Sequence, residues 1–299
     1  MKLNTTKLIV LLAALVAIYF GVDYFGGKKK STSLRSELVN VDTEAVSKLE
    51  IATSNSKISV QKTDGKWEVT LENGEVFPAD ENSVQQSLKA LNGIKPSRMA
   101  TRKKEKWAEY QVDSAGTNVA VSIDNQVVTE IVLGKFGVSG QRSYHTFVRM
   151  AEDNEVYVAE NFMSFSVPAE SSAYRLKNVT SLKKDSIISA QFTYPSDTSF
   201  LLEKVGDSWM ANSLPTDSTK VAQFLNGLSS VTSRKFSEKK PQNSPVYSVS
   251  YSTQDGGTTT VNGYIDEAGL IFNSNQNATS YFADSLILEK VFIGFSELQ

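Results

Sequence analysis

The sequence predicts an α+β fold: two tandem duplicated modules of mostly antiparallel sheet, with one packed helix each, after an N-terminal transmembrane helix. Three observations predict it. Short runs of alternating apolar and polar residues recur along the chain, separated by Gly, Asn and Asp turn signals. A tryptophan follows a tight turn twice, in KTDGKWEV (62–69) and KVGDSWMA (204–211), and what comes after each repeats a common order. An unbroken apolar run, Leu8 to Phe20, stands apart from everything behind it.

Composition narrows the functional classes. The chain has 299 residues, 40% hydrophobic and 21% charged, enough for two domains that each bury a core. Its formal net charge of −2 argues against a dedicated nucleic-acid binder, which needs a concentrated basic surface. There is no cysteine, so disulfides, thiolate nucleophiles and cysteine-ligated zinc are excluded. The single histidine, His145, leaves little material for a metal site or an acid–base pair.

Residues 1–7 form a short tail and residues 8–25 a membrane anchor. As a helix, Leu8 to Phe25 spans about 27 Å, close to the thickness of a bilayer core. Tyr19, Tyr24 and Phe25 fall where an aromatic belt belongs. A cleaved signal peptide needs small residues at the cleavage site, and Tyr19-Phe20-Gly21 and Asp23-Tyr24-Phe25 place bulky ones there, which favours an uncleaved anchor. Lysines flank both ends of the run; a short tail before one apolar helix favours the large C-terminal part outside the cytoplasm. Residues 26–40 (GGKKKSTSLRSELVN) are polar and small, a tether, with folded sequence expected from Val41.

The first module covers residues 41–177. Leu49 and Ile51, then Ile58 and Val60, then Trp67, Val69 and Leu71 alternate as strands, broken at Asp64-Gly65 and Asn73-Gly74. After Asp80, the spacing of Val84, Leu88, Leu91 and Ile94 predicts a helix. Strands follow over 119–123, 127–134, 145–150 and 155–160. The second module, 178–299, repeats this with Phe192 and Tyr194, Phe200 and Leu202, Gly206-Asp207 before Trp209, and a helix carrying Val221, Leu225, Leu228 and Val231 after Asp217 and Ser218. Its later strands are YSVSYST, TTTVNGYI, GLIFNS and TSYFAD. Trp67 and Trp209 differ by 142 positions, Val84 and Val221 by 137, and Ser97-Arg98 and Ser233-Arg234 by 136, so only loop lengths change. The join, NVTSLKKD (178–185), reads as polar and turn-like.

The order Trp67, Phe77-Pro78-Ala79-Asp80, the Val84/Leu88/Leu91 helix, Tyr110-Gln111-Val112-Asp113, Ile131-Val132-Leu133-Gly134, Tyr144 to Arg149 and Val156-Tyr157-Val158 resembles the bacterial family called domain of unknown function 4340. The resemblance covers Val41 to Lys177 closely and the second module more loosely. A glycine is expected where Gln111 stands, and the second copy lacks a clear Pro-Ala-Asp. The resemblance implies a membrane-anchored protein encoded near gliding-type ABC transporter permease and auxiliary subunits. It transfers no catalytic or ligand residues.

Candidate chemistry is sparse. The cluster LGKFGVSGQRS (133–143) has glycines plus Lys135 and Arg142, as a phosphate loop would, but it lacks the G-x-x-x-x-G-K-[ST] order and lies between strands, so a hairpin loop is expected. His145 lies near Ser139 and Ser143 without a nucleophile elbow, and a strand histidine is expected. Trp67 and Trp209 are expected in the cores, where a buried ring contributes a few kcal/mol, about 2–3. Two basic stretches after the helices are the candidate contacts for a partner or for anionic lipid: Arg98, Arg102, Lys103 and Lys104 in the first copy, Arg234, Lys235, Lys239 and Lys240 in the second.

The functional expectation is a non-enzymatic auxiliary or scaffold protein with no cofactor and no metal, anchored in the bacterial inner membrane and facing the periplasm, beside an ABC-type transporter of the gliding-motility kind. The alternative is a periplasmic binding module that holds a small molecule or glycan in the cleft between modules. A concave polar pocket there favours the alternative, and a flat apolar patch favours a protein partner.

Overall fold

The alternating runs become two large sheets. The computed structural model describes residues 35–139, 143–195, 198–267 and 269–299. The expected anchor, residues 8–25, lies outside them. Among the described residues no helix is long and apolar enough to cross a membrane.

The first sheet takes β1 (Lys48–Ala52), β2 (Lys57–Thr63), β3 (Lys66–Thr70), β4 (Val76–Pro78), β5 (Pro96–Thr101), β6 (Thr117–Ile123), β7 (Gln126–Ser139), β8 (Ser143–Met150) and β9 (Val156–Glu160). All pairings are antiparallel, in the order β4-β3-β2-β1-β6-β7-β8-β9-β5. Helix α1 (Glu81–Asn92) runs between β4 and β5, and a one-turn helix, α2 (Trp107–Tyr110), between β5 and β6. After the sheet comes another single turn, α3 (Ser171–Tyr174). The β2–β3 hairpin closes on Asp64 and Gly65, both at positive φ (49° and 78°), as a two-residue Asp-Gly turn requires.

Past β10 (Asn178–Thr180), the second sheet takes β11 (Ile187–Thr193), β12 (Phe200–Val205), β13 (Ser208–Ala211) and β14 (Leu214–Pro215). Helix α4 (Ser218–Gly227) and the short β15 (Val231–Thr232) follow, then β16 (Phe236–Ser237), β17 (Tyr247–Thr253), β18 (Thr258–Asp266), β19 (Gly269–Ser274) and β20 (Asn277–Phe282). The order is β14-β13-β12-β11-β17-β18-β19-β20-β16, which matches the first sheet place for place. A closing helix, α5 (Leu286–Val291), was not expected; it adds Ile287 and Val291 to the second core, so the description of one helix per module is too sparse.

Each long helix starts where its cap predicts. Asp80 accepts from Asn82 N at 3.1 Å, and Asp217 accepts from Thr219 N and Lys220 N at 2.8 and 3.3 Å. Val84, Leu88 and Leu91 turn inward on α1, and Val221 and Leu225 on α4. Burying each contributes about 2 kcal/mol. One core gathers Leu49, Ile51, Val60, Trp67, Val119 and Ile131 against α1; the other gathers Phe192, Leu202, Val249, Tyr251, Val261 and Phe272 against α4 and α5. Trp67 is 4% exposed, whereas Trp209 is half-buried at the margin of its core.

Three boundaries differ from expectation. Packed chain begins before Val41, because Leu38 and Val39 are buried and Val41 exchanges backbone bonds with the Asn92 side chain at 2.7 and 3.0 Å. The join at 178–185 is not a solvated turn: β10 pairs with β15, Val179 and Thr180 are fully buried, and Thr180 Oγ1 donates to Leu228 O at 2.9 Å. The glycine cluster after Leu133 is strand as far as Ser139 rather than loop. A register shift between Leu133 and Phe136 lets β7 continue past α2. Gly134 is needed there, since a Cβ would sit 2.4 Å from Tyr110 O. Residues 140–142, including Arg142, lie outside the described chain.

Candidate functional site: a polar cleft at the join

The segment 174–180 is tied by backbone to both halves. On the first side Asp80 N donates to Tyr174 O at 2.7 Å and Leu176 N to Pro78 O at 2.8 Å. On the second, Ser233 N donates to Lys177 O at 2.9 Å beside the β10–β15 pairing, and Asn277 Nδ2 reaches Leu176 O at 2.7 Å. Between these anchors lies Arg175, whose side chain is 1% exposed. Its guanidinium is stacked between Phe77 of β4, 3.6 Å from the ring centroid, and Phe236 of β16, at 4.0 Å. Nη1 donates to Glu238 Oε1 at 3.1 Å, while Nε and Nη2 have no hydrogen-bond partner among the described residues. Burial lowers the pKa of Arg175, and Glu238 opposes that shift.

Beside this stack opens a cleft of about 430 Å³. Ser83, Ser87, Ser166, Ser172 and Tyr174 line it with hydroxyls, Lys177 and Arg234 bring positive charge, Glu170 brings one carboxylate, and Phe165 brings an aromatic face. Every lining residue except Arg234 comes from the first half. Lys177 Nζ donates to Ala173 O at 2.9 Å and approaches Ser83 Oγ at 3.4 Å, and Ser83 in turn donates to Asp80 Oδ2 at 2.8 Å. Ser87 Oγ lies 3.0 Å from Tyr174 OH and 3.3 Å from Ser166 O. Burial lowers the pKa of Lys177, and the charge of Arg234 lowers it further, against Asp80. Burial raises that of Tyr174. These groups suit recognition of a ligand by hydrogen bonds and charge. No lining hydroxyl has an imidazole beside it, and among the described residues no cluster of three or more His, Cys, Asp and Glu is placed to hold a metal.

A second groove, about 490 Å³, is lined by Tyr194, Phe200, Phe295, Asn212, Thr198, Ser199, Gly294 and Ser296, without a charged group among them.

The basic stretches that the sequence singles out are dispersed. Arg98 is exposed on edge strand β5, opposite Val158. Arg102 lies 3.7 Å from Glu155, Lys103 is exposed, and Lys104 stands over the Trp107 ring at 5.1 Å. In the second half, Lys235 pairs with Asp284 at 3.1 Å, and Lys239 and Lys240 border a shallow cavity with Asp266 and Glu267. Arg234 alone of the eight enters the cleft. Lys177, Ser83 and Tyr174 carried no sequence signal, because what brings them together is the long-range bonding of residues 174–176 to Pro78 and Asp80, while the pairing of β10 with β15 brings Arg234 to them. His145 lies on β8 with its ring 2.9 Å from where a Cβ on Gly137 would stand, edge-on to Phe147 at 5.2 Å.

The described residues thus make a two-sheet α+β protein, mainly β, with a polar cleft where the halves join. The chain belongs to the family described as Domain of unknown function (DUF4340), whose model matches residues 67–250, well over half of the chain. That match runs from Trp67 on β3 to Ser250 on β17, so it takes in the join and the cleft. The crystal structure of a Bacteroides fragilis NCTC 9343 protein, an outer membrane protein by its provisional name, is 10% identical, covering 81% of this chain and 92% of that chain at a TM-score of 0.12. A likeness at that level carries no argument. No curated protein matches the sequence.

Proposed function

We propose that the protein is a non-enzymatic, membrane-anchored extracytoplasmic auxiliary or scaffold subunit, built from two copies of one α+β module and working beside an ABC-type transporter. The duplication is supported by the strand order, the same in both sheets with a capped helix at the same point. The anchor is supported by the apolar run 8–25. The transporter association rests on the family resemblance. What carries the scaffold reading is the join: one segment is bonded by backbone to both halves, and Arg175 stacks between a ring of each, an arrangement suited to holding partners at a set distance.

The test is co-purification of the detergent-solubilised full chain. Transporter subunits are expected with it, and their absence overturns the transporter association. Because the natural chain has no cysteine, one introduced cysteine at Lys57 is a unique probe of sidedness. Labelling of intact spheroplasts by an impermeant maleimide is expected; protection until lysis reverses the topology.

A second reading, a binding module that works from the join, is favoured by one observation. The cleft is concave and lined by converging hydroxyls and charges.

A further inference from the structure

The geometry points to a ligand class for this cleft: we infer that it holds a small phosphorylated polar molecule of the sugar-phosphate kind, its phosphate bridging Lys177 and Arg234 and its ring lying against Phe165. The inference rests on the second reading above.

Two cations meet here, and neither is ion-paired among the described residues. The backbone bond from Ser233 N to Lys177 O holds the chain segments bearing Lys177 and Arg234 side by side. Among the described residues neither cation has a carboxylate within ion-pair distance, whereas Arg102, Arg175 and Lys235 each do. Lys177 is held in place by Ala173 O and Ser83, so its ammonium is oriented before any ligand arrives. Placing two like charges together is unfavourable, and a phosphate between them turns that repulsion into attraction. A guanidinium matches two phosphate oxygens at once, a lysine adds a point charge, and the hydroxyl of Ser172 supplies a further donor.

The cleft also has a place for an uncharged part. Phe165 is 62% exposed, a large apolar surface to leave in water, and it lines the same cavity with its ring 5.5 Å from that of Phe136. An aromatic face beside hydroxyl donors suits the C–H face of a pyranose ring. A cavity of about 430 Å³ holds such a molecule and is larger than a lone phosphate needs. The charged groups facing the site are Lys177, Arg234 and Glu170, with Asp80 behind Ser83. Glu170 opposes the anion, and its effect has a predicted sign.

The test is isothermal titration of the full chain in detergent with glucose 6-phosphate, glucose and inorganic phosphate, with amide spectra to locate each effect. Glucose 6-phosphate is expected to bind best and to shift resonances of Ser83, Tyr174 and Lys177. Arg234→Gln, an exposed change that leaves the melting temperature in place, weakens it about tenfold, and Phe165→Ala about fivefold. Glu170→Gln tightens it about threefold. Binding by glucose that equals the phosphate ester, or binding that ignores Arg234→Gln and Glu170→Gln, overturns the ligand class while cleft shifts uphold the binding reading. If no probe shifts cleft resonances, the inference and that reading fall together. Vesicles containing phosphatidylglycerol serve as a further arm: if they bind and glucose 6-phosphate does not, the soluble ligand is overturned in favour of a lipid headgroup.

Discussion

The two sheets share a strand order and an inward face, yet their outward faces have opposite character. On the first sheet Val132, Val156 and Phe147 point away from the main core and are covered by the stretch that holds α2 and Val112. Arg149 fastens that cover. Its guanidinium stacks on Trp107 at 3.8 Å, Nε donates to Val112 O at 3.0 Å, and Nη1 donates to the carbonyls of Met150, Ala151 and Asp153. On the second sheet the connection from β16 to β17 has no helix, and the corresponding face is made of Ser248, Ser250, Ser252, Thr260, Asn262 and Asn273. These bond to one another, Ser248 to Asn262 at 2.8 Å and Ser250 to Thr260 at 3.0 Å. The lesson is that a single inserted turn decides whether a sheet face is written in valine or in serine. An apolar face left open invites association, and an uncovered face written in hydroxyls does not.

The largest effect is expected at the place where the two halves meet. Arg175→Ala removes a stacked side chain from between two rings and lowers stability by about 3 kcal/mol in urea unfolding. Arg175→Met is expected to lose less than half of that, since it keeps the packing and removes two guanidinium nitrogens that have no hydrogen-bond partner among the described residues. Equal losses in the two variants would mean that charge, not packing, holds the join. Next comes the contrast between faces. Val132→Ser is expected to destabilise by about 2 kcal/mol, while Ser250→Val on the open face stays within about 0.5 kcal/mol. Similar values for both would erase the distinction. A smaller gain is expected from Gln111→Gly. Gln111 ends α2 at φ 53°, a left-handed position that favours glycine, and the change is expected to stabilise by about 1 kcal/mol. The smallest effect is on pH dependence. Hydrogen bonds from Thr219 N and Lys220 N hold the Asp217 carboxyl below its usual range. Its contribution is therefore present above the unfolded value, about 3.9, and is lost as pH falls through the lower folded value. Asp217→Asn should flatten the acid limb of the unfolding curve below about pH 4 and leave its shape near neutrality unchanged.

Much of the architecture was legible from period and punctuation. Strands appeared where alternation was bounded by turn residues, as at Asp64-Gly65, and both long helices started at their capping aspartates. The offset of 137 between Val84 and Val221 corresponds to the same helical position, four residues after each cap. The expectation of glycine at Gln111 found its cause in the backbone angle there. What was not legible depends on distant partners. One-turn helices such as α2 and α3 are too short to show a period, and β10 looks polar because only one of its three residues is apolar. The cleft was barely visible for the same reason. Arg234 stood out within a basic stretch, whereas Lys177 was a lone lysine at the edge of the first module.

In both halves a strand made soon after the long helix passes by its predecessors to pair with the last strand of its sheet: Pro96 of β5 opposite Ala159, and Phe236 of β16, which follows the short β15, opposite Phe282. A growing chain therefore makes each of these edge strands well before its partner exists. Until β9 or β20 is in place, the edge strand has no strand to pair with, and the sheet closes late through long-range contacts. Each half is thus expected to complete its fold as a single event at its final strand, and a chain truncated before β20 should leave β16 without a place to dock.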